Sequence, residues 1–228
     1  MGTNSKRRFR NTAVALGALL SLHAPSSGAV TRAAVTRTAV AVSERPRRLA
    51  AISTAALLQR GVVMTEIDST LALRANDALA LVRSPWQSIL PGWQIVFKGS
   101  RKGYLAMTMR PERRIEVYLR SDRTAPGIAH DIAHELGHAI DVTYNTRESR
   151  ATYLQLRGLG PGIDWWTCEG CRDLDVPAGD FAETFAQWVG PTFQNYSNLG
   201  PRLDPAILRT IAKAVFPGAT ADGEPGDF

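Results

Sequence analysis

Cysteine is almost absent: the 228-residue chain has two, Cys168 and Cys171. A four-cysteine structural zinc site is thereby excluded, since two further thiolates do not exist. The Cys168-Glu169-Gly170-Cys171 loop also lacks the strand–helix–strand setting of a thioredoxin-like redox pair. Histidine is scarce too. Of four in the chain, three are His130, His134 and His138, where a general surface role would scatter them. There is no internal repeat, and beyond Leu22 no apolar stretch reaches the roughly 20 residues of a membrane-spanning helix. From Val30 to Arg48 acidic residues are nearly missing: Glu44 alone opposes Arg32, Arg37, Arg45, Arg47 and Arg48. Much of the net charge of +6 and of the pI near 9.7 comes from the N-terminal residues up to Arg48. No aromatic side chains are interleaved with those basic residues, as stacking on bases would require, so no nucleic-acid partner is expected. Attraction to an anionic cell surface is the remaining consequence of the charge.

The N-terminal residues read as a secretory signal peptide over 1–29. Lys6, Arg7, Arg8 and Arg10 form a basic region, Thr12 to Leu22 an apolar core, and Ser27-Gly28-Ala29 a small-residue cleavage site. The competing reading is an uncleaved anchor at Thr12–Leu22, with the domain as a membrane-held interaction module. Residues 30–48 carry no apolar stripe and read as a flexible basic linker or propeptide. Residues 49–217 suffice for one domain with its own core, and 218–228 read as a disordered tail. Export to an extracellular setting makes a small disulfide between Cys168 and Cys171 the expected state of that pair.

Within the domain, the run from Gly127 to Thr143 carries His134-Glu135-Leu136-Gly137-His138. Histidines four apart on a helix lie on one face, roughly 6 Å apart, and can bind one metal ion. Glu135 then lies beside the metal without coordinating it, placed to take a proton from an activated water. Ile128, Ile132, Leu136, Ala139 and Ile140 recur at helical spacing and predict the buried stripe. Gly137 is the one poor helix former, which implies that another element crosses the helix there.

Helices are also expected over Leu49–Arg60, Asp68–Val82, Tyr144–Arg157, Asp180–Val189 and Asp204–Val215, the last opened by Asp204 and Pro205. Strands are expected at Trp93–Phe97, Tyr104–Met109 and Ile115–Arg120, with a turn at Pro111–Arg114. Strands followed by helices predict an α+β fold with a small antiparallel-rich sheet packed on the metal-binding helix.

A catalytic zinc site takes three protein ligands and leaves one position open. A third histidine six positions past His138 is excluded, because that residue is Tyr144. A carboxylate on the helix Asp180-Phe181-Ala182-Glu183-Thr184-Phe185-Ala186 fits instead. With that helix in place, H-E-L-G-H-A-I-D followed by D-F-A-E-T-F-A resembles the glutamate-zincin metallopeptidases, and is most similar to anthrax-lethal-factor-like domains and small exported bacterial relatives. The resemblance spans Ile115 to about Val189. It implies a zincin-like fold, one Zn²⁺ per chain held by His134 and His138, Glu135 as general base, and a substrate cleft lined by Ile115–Arg120 as an edge strand that pairs with extended peptide. One departure stands out: the family often places its ligand four residues before the last carboxylate, and here that residue is Gly179. Glu183 is the preferred third ligand and Asp180 the alternative, with an Asp180–Glu183 capping box as a further role for the pair.

His130, one turn before His134, is expected to support the ligands or face substrate, and Asp141 to orient a histidine or a nearby polar group rather than bind metal. Trp165 and Trp166 are expected in packing or along a substrate pocket. Tyr144, Tyr153 and Tyr196 are the candidates for steadying an oxyanion. The expectation is therefore a secreted, monomeric zinc endopeptidase acting on peptide or protein. The alternatives are a non-catalytic relative that uses the cleft for binding and the membrane-anchored interaction module.

Overall fold

Four strands and six helices make up the described part of the chain, which in this computed structural model comprises residues 58–166, 172–191 and 194–219. All of these lie in the compact unit Arg48–Phe228. The expected signal peptide, the basic linker, most of the helix Leu49–Arg60, the Cys168–Cys171 disulfide and all but Gly218 and Ala219 of the tail lie outside the described residues.

The strands are β1 (Val62–Met64), β2 (Gln94–Lys98), β3 (Ala106–Met109) and β4 (Arg114–Tyr118). The helices are α1 (Ser69–Leu81), α2 (Trp86–Ile89), α3 (Ala125–Tyr144), α4 (Arg147–Arg157), α5 (Pro177–Val189) and α6 (Pro205–Val215), with a 3₁₀ turn at Asp173–Asp175. The fold is thus mixed α and β, as the sequence implies.

The sheet corrects the expectation of an antiparallel-rich arrangement. Its order is β1-β2-β4-β3; β1 and β4 both run parallel to β2, and only the β3–β4 pair is antiparallel. The connection from β1 to β2 carries α1 and α2, which is long enough for the crossover that parallel neighbours require. The chain then skips one place, lays down β3, and turns back through Arg110–Arg113 to insert β4 between β2 and β3. A second correction follows. Ile115–Arg120 does not supply the edge beside the helix, because β4 is internal to the sheet and β3 is the edge.

Ile95, Phe97, Ile115, Val117 and Leu119 point to one face of the sheet and join Ile128, Ile132, Leu136 and Ile140 of α3 in the core. Burying each such side chain stabilises the fold by roughly 1.5–3 kcal/mol. Thr124 caps α3, its hydroxyl accepting from the Gly127 amide at 3.3 Å, and Pro126 occupies the first turn, where no intrahelical donor is lost. α3 packs against β3 and β4 on one side and most extensively against α5 on the other. The crossing point is Gly137: a Cβ there would lie 2.7 Å from Ala182 Cα and 3.1 Å from Phe185 Cβ. Among the described residues no helix is long and apolar enough to cross a membrane.

Candidate metal centre

α3 presents His130, His134 and His138 on successive turns, and all three are buried. The remaining groups come from β3, the 3₁₀ turn and α5. His134 Nε2 lies 2.8 Å from Asp173 Oδ2 and its Nδ1 lies 2.8 Å from Glu183 Oε1. His138 Nε2 is 3.2 Å from Asp173 Oδ1. Glu183 Oε1 also lies 3.1 Å from His130 Nε2, while its Oε2 accepts from the Tyr196 amide at 2.9 Å. The result is a chain of alternating imidazoles and carboxylates along one face of α3.

Among the described residues, one group of three side chains brings metal-ligating atoms within 4.8 Å of one another: His134, His138 and Asp173. Two imidazoles and a carboxylate are a donor set suited to zinc. Neither Glu183 nor Asp180 belongs to this group. Glu183 instead lies against the other nitrogen of His134, where an N–H donated to a carboxylate fixes the tautomer that leaves Nε2 free for a metal. Asp180 is fully buried away from the histidines. It accepts from Tyr153 Oη at 2.6 Å and from Arg157 Nε and Nη2 at 2.8 and 3.0 Å. α5 begins at Pro177 with Val176 as its cap, so Asp180 and Glu183 form no capping box.

Asp173 is the site residue that sequence reasoning missed. It stands six positions before Gly179, the position that the resemblance would give to a ligand and that glycine leaves empty, and it occupies the space a side chain on Gly179 would need. A Cβ built there would lie 2.9 Å from Asp173 Oδ2 and 2.0 Å from its carbonyl oxygen. The only signal was that emptiness, and the same segment also offers Asp164, Glu169 and Asp175.

Electrostatics follow the geometry. Burial pushes the His134 imidazole down, but hydrogen bonds to Asp173 and Glu183 outweigh it and raise its pKa to about 10. Burial opposes ionisation of Glu183, yet His130 and His134 lower its pKa to about 2. Asp173 is held well below the usual carboxylate range by His134 and His138, again against burial. All three shifts favour paired charges in the absence of metal.

Glu135 sits at the head of this arrangement. The Thr108 hydroxyl of β3 donates to Glu135 Oε2 at 2.7 Å and lies 3.0 Å from the Glu135 carbonyl oxygen. Two cavities share Tyr104, Ala106, Glu135 and Asp173. One, of about 560 Å³, extends past His138, Val142 and Trp166 to Arg110. The other, of about 450 Å³, extends past His130, Glu183 and Tyr196. Together they form a cleft running along β3.

Other expected residues take definite places. Asp141 accepts from Arg150 Nε at 2.9 Å, Asn145 Nδ2 at 2.9 Å and Trp165 Nε1 at 2.8 Å, so it anchors α4 and the Trp165 loop rather than a histidine. Trp165 packs on Tyr153 and Phe181, whereas Trp166 lies alongside His138 with centroids 6.2 Å apart and lines the cleft. Of the three tyrosines, Tyr144 donates to the Ile89 carbonyl and Tyr153 is committed to Asp180. Tyr196 alone reaches the cleft, its ring edge-on to His130 at 4.9 Å.

No protein-family model, no curated protein and no solved structure matches this chain.

Proposed function

We propose that this protein is a zinc-dependent peptidase. The observation that carries the reading is the meeting of His134, His138 and Asp173 in one cleft with Glu135 directly beside them. Zinc bound by those three residues would supply a Lewis acid that polarises a peptide carbonyl and lowers the pKa of water. Glu135 takes the proton of the attacking water and passes it to the leaving amine nitrogen as the carbon–nitrogen bond breaks. Thr108 holds the Glu135 carboxylate in position. Glu183 accepts from His134 Nδ1 and so directs Nε2 toward Asp173. Asp173 thus takes the ligand role that the sequence assigned to Glu183, and Glu183 acts one bond further out. β3 offers a sheet edge beside Glu135 that no other strand among the described residues pairs, and to it an extended peptide pairs.

Zinc content of the full chain, measured with cleavage of a mixed peptide library, tests the reading. About one zinc per chain is expected, with Glu135→Gln keeping the metal and losing cleavage. Zinc without cleavage in wild type would turn the site into a binding module. An absence of zinc at neutral pH with metal supplied would overturn the proposal.

A further inference from the structure

The cleft does not end at Trp166. Arg110 and Val142, which line it beyond His138, also line a neighbouring cavity of about 260 Å³ completed by Trp93, Arg113 and Thr143. Among the described residues no carboxylate lines this second cavity. Both of its arginines are exposed. Arg114, Arg123, Arg150 and Arg157 each pair with a carboxylate, yet among the described residues no ion pair includes Arg110 or Arg113. The turn between β3 and β4 sets them there. The Arg113 amide donates to the Arg110 carbonyl at 3.2 Å, and Arg113 takes a positive φ of 48°, a conformation that costs a non-glycine residue energy. Trp93 is buried, so the cavity has an apolar floor beneath a cationic rim.

We infer that Arg110 and Arg113 form a subsite for a carboxylate of the substrate. The inference rests on the peptidase reading. A planar carboxylate matches the guanidinium fork, and Trp93 and Val142 accept the methylene stem that carries it. Val142 follows His138 by one helical turn, about 6 Å. At about 3.3 Å per extended residue, the carboxylate belongs two or three residues from the cleaved bond. It is either an aspartate or glutamate side chain or the C-terminal carboxylate of a short peptide.

Zinc-loaded full chain is assayed on peptides that differ only as Glu or Gln at each position, with ends capped or with a free C-terminus. Preference for Glu by about tenfold or more in kcat/KM, in capped peptides, identifies the side chain as the source. Cleavage that requires the free C-terminus identifies the terminal carboxylate. In either case Arg110→Gln/Arg113→Gln brings the preference near unity, mainly through KM, while Lys213→Gln on α6 leaves it in place. Cleavage indifferent to acidic groups, or a preference that survives the double substitution, overturns the subsite and leaves the peptidase reading standing. If wild type cleaves nothing, anisotropy with labelled, capped Glu and Gln peptides decides. Tighter binding of the Glu peptide, lost in the double variant, supports the subsite without the peptidase, and equal binding refutes both.

Discussion

Asp173 and Gly179 share one space. The Asp173 carbonyl oxygen would lie 2.0 Å from a Cβ on Gly179, a separation no side chain tolerates. The carboxylate beside the histidines therefore comes from a turn six residues upstream of Gly179, and glycine on α5 is what lets that turn approach. Gly179→Ala should displace Asp173 and weaken zinc binding, although residue 179 offers no metal ligand of its own. Chelator-competition titrations check this. Asp173→Asn should lose more affinity than Glu183→Gln, for which about 10–100-fold is expected because Glu183 acts through His134. Unaltered zinc affinity in Gly179→Ala would sink the spatial exchange, and a larger loss in Glu183→Gln would return the ligand role to Glu183.

Gly137 is the other close approach, and here two local effects oppose each other. Alanine would favour the helix by about 1 kcal/mol, but its Cβ would meet the Ala182 backbone at 2.7 Å. Overpacking of this kind costs about 1–3 kcal/mol, more where backbone must move. Gly137→Ala should therefore lower the Tm by several degrees, at about 2–4 °C per kcal/mol for a domain of this size. A raised Tm in a thermal scan would mean that α3 and α5 separate readily.

Much of this site is legible in the sequence, for local reasons. His134, Glu135 and His138 need only a helix to meet, and the apolar stripe Ile128–Ile140 supplies one. The reason for Gly137 also follows from its poor propensity within that stripe. Asp173 is different. Its role depends on a turn folding back onto α5, a non-local contact that periodicity does not encode. The sheet fails on similar grounds. Gln94–Lys98 and Arg114–Tyr118 alternate clearly enough to be strands, but alternation carries no pairing order. Val62–Met64 is too short to stand out, and without it the parallel β1–β2 pair is invisible.

The doubly bridged His134 would make metal binding pH-dependent. Its pKa rises from 6.5 to about 10 without metal, so the stabilisation it gives is full below 6.5 and lost as pH rises through about 10. Glu183 falls from 4.5 to about 2, so its contribution is full above 4.5 and lost as pH drops through about 2. Metal-free protein should be most stable between these limits and decline on each side. Zinc must displace the His134 Nε2 proton, so binding at pH 7.5 should release about one proton. Calorimetric titration in buffers of different ionisation enthalpy measures it. A binding enthalpy independent of buffer would show that His134 is already neutral.

Asp180 and Glu183 lie on the same helix but are expected to separate cleanly by experiment. Asp180 is fully buried, and Arg157, its partner, keeps only 4% of its side chain exposed. Removing one member of such a pair leaves an uncompensated charge and costs about 3–5 kcal/mol. Arg157→Met should show that loss in denaturant unfolding of the zinc-loaded protein. Arg157→Met/Asp180→Asn should recover much of it, since the second change removes the stranded charge and the two residues are in direct contact. Asp180→Asn alone should lower stability while leaving zinc stoichiometry at low temperature unaltered, because Asp180 faces Tyr153 and Arg157 rather than the histidines. Glu183→Gln should do the reverse, weakening zinc binding with a smaller effect on metal-free stability at pH 9, where the His134 contribution is already declining. If Asp180→Asn instead strips the zinc, Asp180 reaches the metal and the assignment of α5 around the site is wrong.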